Sequence, residues 1–157
     1  MIDKNKVIGF FGIGIFTYLS ISNLTYRIGD ISKDLFILLD LKPSWTFWLS
    51  ELLGLILFII LINYVINWIY NNYESISNQV LKYFIWSFVA YFIIQGIQIV
   101  YPILKSELNN EGITKYYSYL KDNYMLYGVQ SVLYYLGEII SIIIIYNKVK
   151  NGSQQRV

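Results

Sequence analysis

Four long apolar runs constrain the fold of this 157-residue sequence more than any other feature. They cover residues 7–24, 46–70, 83–104 and 125–146. Each has roughly the 17–25 residues that cross a hydrocarbon core of about 30 Å as a helix. Lipid offers the backbone no hydrogen-bond partner, so each spanning segment must satisfy its own N–H and C=O groups, as a helix does. The sequence therefore predicts an all-α integral membrane protein with four transmembrane helices.

The composition supports a membrane location and excludes several kinds of chemistry. Hydrophobic residues make up 56% of the chain and charged residues only 14%, against about 25% charged in soluble domains. The chain contains no cysteine and no histidine, which removes disulfides, thiolate nucleophiles, imidazole bases and the usual zinc ligands. A net charge of +2 is too small to indicate nucleic-acid binding. We therefore expect a protein that is not an enzyme and has no metal, cofactor or nucleic-acid partner.

The connections between the runs predict two helical hairpins in tandem within one transmembrane domain, 1–157. Two long loops, 25–45 and 105–124, are expected on one side of the membrane. The shorter loop 71–82 is expected on the other side, together with both termini. The first run follows Lys4 and Lys6 and is interpreted as an uncleaved signal anchor.

The first long loop carries a pattern of its own. Asp30–Lys42 has apolar residues at helical spacing and stops before Pro43, which predicts a short interfacial amphipathic helix. Ile113–Tyr124, in the second long loop, is rich in tyrosine and is interpreted in the same way. Asp30, Asp34 and Asp40 lie in the first loop without an obvious catalytic partner.

The basic residues are divided evenly between the two sides, so they leave the orientation almost undetermined. The terminal side carries Lys4, Lys6, Lys82, Lys148, Lys150 and Arg156, and the other side Arg27, Lys33, Lys42, Lys105, Lys115 and Lys121. The first span usually has the greatest influence on orientation, and the tail 147–157 is basic. Both observations favour cytoplasmic termini. We expect a bacterial inner (cytoplasmic) membrane protein with both termini in the cytoplasm.

One carboxyl group lies deep in the fourth run and is the leading candidate for function. An acid near the bilayer centre costs about 2.5–3.5 kcal/mol on insertion scales, and such residues commonly mark ion or proton pathways. This residue is Glu138, and helical periodicity places Tyr127, Ser131, Tyr134 and Ser141 within about a quarter turn of it. Two interpretations stay open, a pore-lining or proton-binding group and a structural hydrogen bond to another helix or subunit.

The third run offers a second polar face, formed by Tyr91, Gln95 and Gln98. Amide side chains in lipid join helices at roughly 0.5–2 kcal/mol each, and they also line polar pores. Gln130 of the fourth run is a candidate partner for this face. Joining helices and lining a pore are both left open.

For three further groups of residues in the runs, we prefer a structural interpretation to a functional one. Glu51 lies about two turns inside the second run and is expected to snorkel to the headgroups or pair with a loop lysine. Asn63 and Asn67 are one turn apart and are interpreted as a helix edge entering the interface rather than an ion site. Small residues in the first run predict close helix packing, within the subunit or between subunits; they are Gly9, Gly12 and Gly14.

These features favour a homo-oligomeric ion channel or membrane-permeabilising pore, since four short helices are too few to enclose a wide path alone. Its partners would be the lipid bilayer and further copies of the chain. Two alternatives stay open. One is a non-catalytic accessory or assembly subunit that docks on a protein partner, and the other is a small proton- or cation-coupled carrier that uses Glu138.

Overall fold

A computed structural model describes residues 4–106 and 111–154, and within these ranges the chain is helical apart from short turns. The helices are α1 (Lys4–Leu38), α2 (Pro43–Asn71), α3 (Tyr73–Asn78), α4 (Val80–Ser106), α5 (Glu111–Asp122) and α6 (Met125–Gln154). The basic tail residues Lys148, Lys150 and Arg156, on which the expected orientation partly depends, lie outside the side chains that the structure describes.

Four of the helices are long and apolar enough to cross a membrane. They cover Lys6–Leu38, Pro43–Asn71, Val80–Lys105 and Met125–Asn147. The predictions of an all-helical chain and of four membrane-spanning helices by length and composition are therefore confirmed for the described residues. The many β-branched residues do not oppose helix formation here, because an unpaired backbone group in lipid costs several kcal/mol.

The first long loop differs from the prediction. Helix α1 has 35 residues and continues through 25–38, so only 39–42 connect it to α2. The separate interfacial helix predicted for Asp30–Lys42 is not confirmed, since 30–38 belong to α1. Apolar residues recur there with the same helical period, and no proline precedes Pro43. The chain then turns at Asp40, which has a left-handed φ of 58°, and Pro43 starts α2, as proline commonly does.

The other two connections also contain helices. The six-residue helix α3 lies within the predicted loop 71–82. The helix α5 covers Glu111–Asp122, close to the segment Ile113–Tyr124 for which a helix was expected. The arrangement as two tandem hairpins stays a prediction, as does the single domain.

The chain divides into two compact units. Unit 1 comprises Met1–Leu24 and Tyr64–Leu108. Its helices α1 and α4 are joined through aromatic rings, since the ring of Phe16 lies 5.1 Å from that of Phe88 and 5.5 Å from that of Tyr91, centroid to centroid. Such edge-on and tilted pairs add about 0.5–1.5 kcal/mol each beyond their burial.

Two of the three glycines of the first span make the close packing in unit 1 possible. A Cβ atom added to Gly9 would lie 2.2 Å from Val80 Cγ1, and one added to Gly12 would lie 2.4 Å from Phe84 Cε2. A Cβ atom added to Gly14 would meet nothing within 4 Å. Within the chain, therefore, Gly9 and Gly12 serve the predicted packing role and Gly14 does not.

Unit 2 comprises Thr25–Asn63 and Asn109–Val157. Its apolar core lies where α5 covers the turn between α1 and α2. The core is formed by Ile37, Phe47, Tyr116 and Leu120, with exposures of 1–8%. The amphipathic pattern of α5 thus has a partner within the protein, because Tyr116 and Leu120 are its two buried residues.

Candidate functional site

Charged side chains of α1 are buried in unit 2. Asp30 accepts a bond from Arg27 Nη1 to its Oδ2 and another from Lys33 Nζ to its Oδ1, both at 3.1 Å. The three side chains are only 8% (Arg27), 19% (Asp30) and 13% (Lys33) exposed. They are three residues apart, so one face of the helix presents all of them. Buried charges are tolerated where they are paired in this way.

A carboxyl group of α2 lies in the same unit. Glu51 is 7% exposed, and its Oε1 accepts a hydrogen bond of 2.8 Å from Gln130 Nε2 of α6. Glu51 was expected to snorkel to the headgroups or to pair with a loop lysine, and in the structure its carboxyl group is buried against α6. Asp34 of α1 is 8% exposed. Lys33 and Asp30 lie near enough to Glu51 to interact with it electrostatically. We call Arg27, Asp30, Lys33, Glu51 and Gln130 the charged cluster.

Small residues bring α1 and α2 together beside the charged cluster. A Cβ atom on Gly29 would lie 3.5 Å from the carbonyl oxygen of Ser50, and one on Gly54 would lie 3.6 Å from that of Thr25. These distances are ordinary van der Waals contacts with main-chain atoms, so the two backbones approach closely. Thr46, Ser50 and Gly54 are spaced by four residues, which is the small-residue pattern of membrane helix interfaces. This pattern is the sequence signal that could have revealed the site.

A tyrosine of α5 borders the charged cluster. Tyr116 is 1% exposed, and Lys33 Nζ lies 6.0 Å from the centroid of its ring, within reach of a cation–π interaction. Burial, reinforced by the negative charge of Glu51, raises the pKa of the Tyr116 phenol well above its ordinary value. The phenol therefore stays neutral at physiological pH. No group of three or more metal-ligating side chains occurs in the part of the chain that the structure describes.

Packing divides the predicted polar face of α6 into two parts, and one part faces the protein. Gln130 bonds to Glu51, and the ring of Tyr134 lies 6.3 Å from that of Tyr26, centroid to centroid. Ser141 is 5% exposed and donates to the carbonyl oxygen of Gly137 at 2.8 Å. The contacts of Gln130 and Tyr134 join α6 to α2 and α1, whereas the Ser141 bond lies within α6 itself.

The other part of that face is more exposed. Tyr127 is 51% exposed, Ser131 is exposed and Glu138 is half-buried. Tyr135, which was not among the predicted residues, lies beside them and is 65% exposed. At 3.6 residues per turn these four side chains fall within an arc of about 80°. We call them the outer polar strip. Glu138 lies near the middle of the span Met125–Asn147, where a charged group is most costly.

The polar face of α4 has contacts within unit 1. Gln98 donates through Nε2 to the carbonyl oxygen of Asn23 in α1, and Tyr91 packs on Phe16. Gln95 is half-buried. Gln130, the candidate partner for this face, donates a hydrogen bond to Glu51 of α2. On α2, Asn63 is half-buried and Asn67 is exposed.

No known protein family, curated protein or solved structure matches this chain.

Proposed function

We propose that this protein forms a homo-oligomeric, ion-conducting pore in the membrane, with the outer polar strip of α6 facing the conduction path. The observation that carries the proposal is the position of Glu138. This carboxyl group is half-buried near the middle of an apolar span, and Tyr127 and Ser131, which share its side of α6, are exposed.

The energetics of an intramembrane acid support an oligomer. A carboxylate directed toward acyl chains costs about 2.5–3.5 kcal/mol or more. In a closed ring of subunits, equivalent strips meet around one symmetry axis, where water enters and the cost falls. Rings of acidic side chains attract cations. We therefore expect the pore to prefer cations over anions.

The test compares two glutamates that lie in different surroundings. The purified protein is reconstituted in liposomes, and its cation flux and cation-to-anion permeability ratio are measured for wild type, Glu138→Gln and Glu51→Gln. We expect Glu138→Gln to lower the permeability ratio while Glu51→Gln retains it, because Glu51 is covered by Gln130. A selectivity that is unchanged in Glu138→Gln would contradict the proposal.

The particle mass in nanodiscs tests the oligomer separately. We expect a discrete assembly of several copies. A clean monomer without ion flux would contradict the pore and would favour the accessory subunit that docks on a partner.

A second candidate is a proton- or cation-coupled carrier, and the charged cluster favours it. Ionisable groups buried within a helix bundle form the proton relays of pumps and transporters. The sequence suggested Glu138 for this role, whereas Glu51 is the acid that is buried and interacts with the charges of Lys33 and Asp30. In a carrier, Glu51→Gln would abolish transport driven by a pH gradient and Glu138→Gln would retain it, which is the reverse of the pattern expected for the pore.

We also propose that the termini and α3 lie in the cytoplasm and α5 outside. The chain contains no cysteine, so single substitutions report the side directly. Ser75→Cys in α3 and Ser118→Cys in α5 are both at exposed positions. In intact cells we expect an impermeant thiol reagent to label the α5 variant alone, and labelling of the α3 variant alone would reverse the orientation.

A further inference from the structure

Unit 1 contains a cavity that takes no part in the proposed pore. Its volume is about 400 Å³, within the range of about 300–1,000 Å³ that is usual for ligand pockets. Two buried residues, Ile13 and Ile76, form its floor with exposures of 5% and 1%. Two tryptophans, Trp68 and Trp86, line it and are 42% and 63% exposed. The open side of the cavity is therefore aromatic and faces the surroundings of the protein.

The position of the cavity along the helices places it at the boundary of the membrane. Lys82, which lines it, is in the first turn of α4, and Trp68 is in the last turn of α2. The span Val80–Lys105 has 26 residues, or about 39 Å of helix, which exceeds a hydrocarbon core of about 30 Å. Its first turn therefore reaches the headgroups. Tryptophan is enriched at this level of membrane proteins.

The end of the lining at the membrane boundary is polar and cationic, and the deeper end is mainly apolar. Lys82 and Tyr83 lie at the polar end, and the Tyr83 hydroxyl is 3.4 Å from Ser75 Oγ of α3. Ile13 and Val65 lie deeper, together with the hydroxyl groups of Thr17 and Ser87. The Ser87 hydroxyl is already bonded to the carbonyl oxygen of Phe84 at 2.8 Å. The lining residues that the structure describes include one cation and no acid. An amphiphile with an anionic headgroup and a hydrocarbon chain has the complementary arrangement.

From these observations we infer that the cavity binds an anionic phospholipid. The headgroup phosphate meets Lys82 and Tyr83, and one acyl chain lies between Trp68 and Trp86. Lysine can serve this role because its methylene groups cover apolar surface while its ammonium group reaches the headgroups. The bilayer around the protein supplies the ligand.

The tryptophans that line the cavity also provide the test. The chain has four tryptophans. The double substitution Trp45→Phe with Trp48→Phe therefore leaves Trp68 and Trp86 as the only tryptophans, and their fluorescence is excited selectively over that of tyrosine. This protein is reconstituted in phosphatidylcholine vesicles that carry, at one fixed mole fraction, either brominated phosphatidylglycerol or brominated phosphatidylcholine. Bromine quenches tryptophan on contact. We expect quenching to indicate about a five-fold local enrichment of the anionic lipid, the ratio that corresponds to about 1 kcal/mol for one lysine at a membrane surface.

Charge variants distinguish a specific lipid site at Lys82 from a general attraction of anionic lipid to the basic residues of the protein. Lys82→Gln should remove the preference and Lys82→Arg should retain it. Lys105→Gln, which deletes the same charge in the last turn of the same helix, should leave it unchanged. Equal quenching by the two brominated lipids in the otherwise unmodified background would overturn the inference. So would a preference that survives Lys82→Gln, or one that Lys105→Gln abolishes equally.

Discussion

Replacing Gly9 by alanine tests whether the close approach of α1 and α4 stabilises the protein. The added Cβ atom would lie 2.2 Å from Val80 Cγ1, whereas ordinary contacts begin at 3.4 Å, so the shortfall is roughly 1 Å. Valine in a helix has one strongly preferred rotamer, so turning its methyl group away carries an energetic cost. Either Val80 adopts a less favourable rotamer or the helices separate locally, and overpacking of this kind costs about 1–3 kcal/mol.

Gly14→Ala is the matched control. Both substitutions gain up to about 1 kcal/mol of helix propensity, but a Cβ atom at Gly14 meets nothing within 4 Å. The difference between the two variants therefore isolates the steric cost. We expect Gly9→Ala to unfold with a free energy about 1–3 kcal/mol below that of Gly14→Ala.

The assay is equilibrium unfolding in mixed micelles followed by tryptophan fluorescence. Trp68 and Trp86 both belong to the unit that contains the contact. Adding Val80→Ala to Gly9→Ala removes the methyl group that clashes and should recover part of the loss. Equal stability of Gly9→Ala and Gly14→Ala would refute the reasoning, as would a Val80→Ala substitution that gives no recovery.

Three further predictions concern polar contacts. Gln130→Leu should lower the free energy of unfolding by about 1–3 kcal/mol because it leaves the buried Glu51 oxygen without its donor, and a double-mutant cycle with Glu51→Leu should show that the two losses are not additive. Gln98→Leu should cost about 0.6–1.7 kcal/mol, the range of interhelical bonds in membranes, whereas Gln95→Leu should change stability less; equal effects in equilibrium unfolding would contradict this. The raised pKa of Tyr116 means that its contribution is complete below about pH 10, the ordinary tyrosine pKa, and is lost as the pH rises through the raised value. Unfolding measured against pH should therefore show a shallower alkaline loss in Tyr116→Phe, and identical alkaline profiles would contradict the assignment.

Much of the fold was predictable because the solvent is lipid. The requirement that spanning segments satisfy their own backbone hydrogen bonds makes an apolar run of sufficient length a helix, whatever its neighbours are. The positions of the four spans follow from hydropathy alone, and so does the exclusion of chemistry that needs cysteine or histidine.

The end of α1 shows where this local reasoning fails. Charged residues between 27 and 34 indicated a loop at the membrane surface. In the structure Asp30 bridges Arg27 and Lys33, and paired charges can be buried within a helix at far lower cost than single ones. Pairing depends on side-chain positions in three dimensions, so hydropathy does not report it.

The sequence by itself determined which residues are polar and at which depth of a helix they lie, because both depend on residue type and spacing. Only the tertiary structure decided what each of them contacts. Glu51 and Glu138 are both single acids in apolar runs, yet Glu51 is 7% exposed and bonded to an amide of α6, while Glu138 is only half-buried. Gly9 and Gly14 are both small residues of the first span, yet a Cβ atom added to Gly9 would meet Val80 and one added to Gly14 would meet nothing within 4 Å. The reason is geometric: a helix presents all its sides, and the neighbour that covers one side is set by close packing between distant segments.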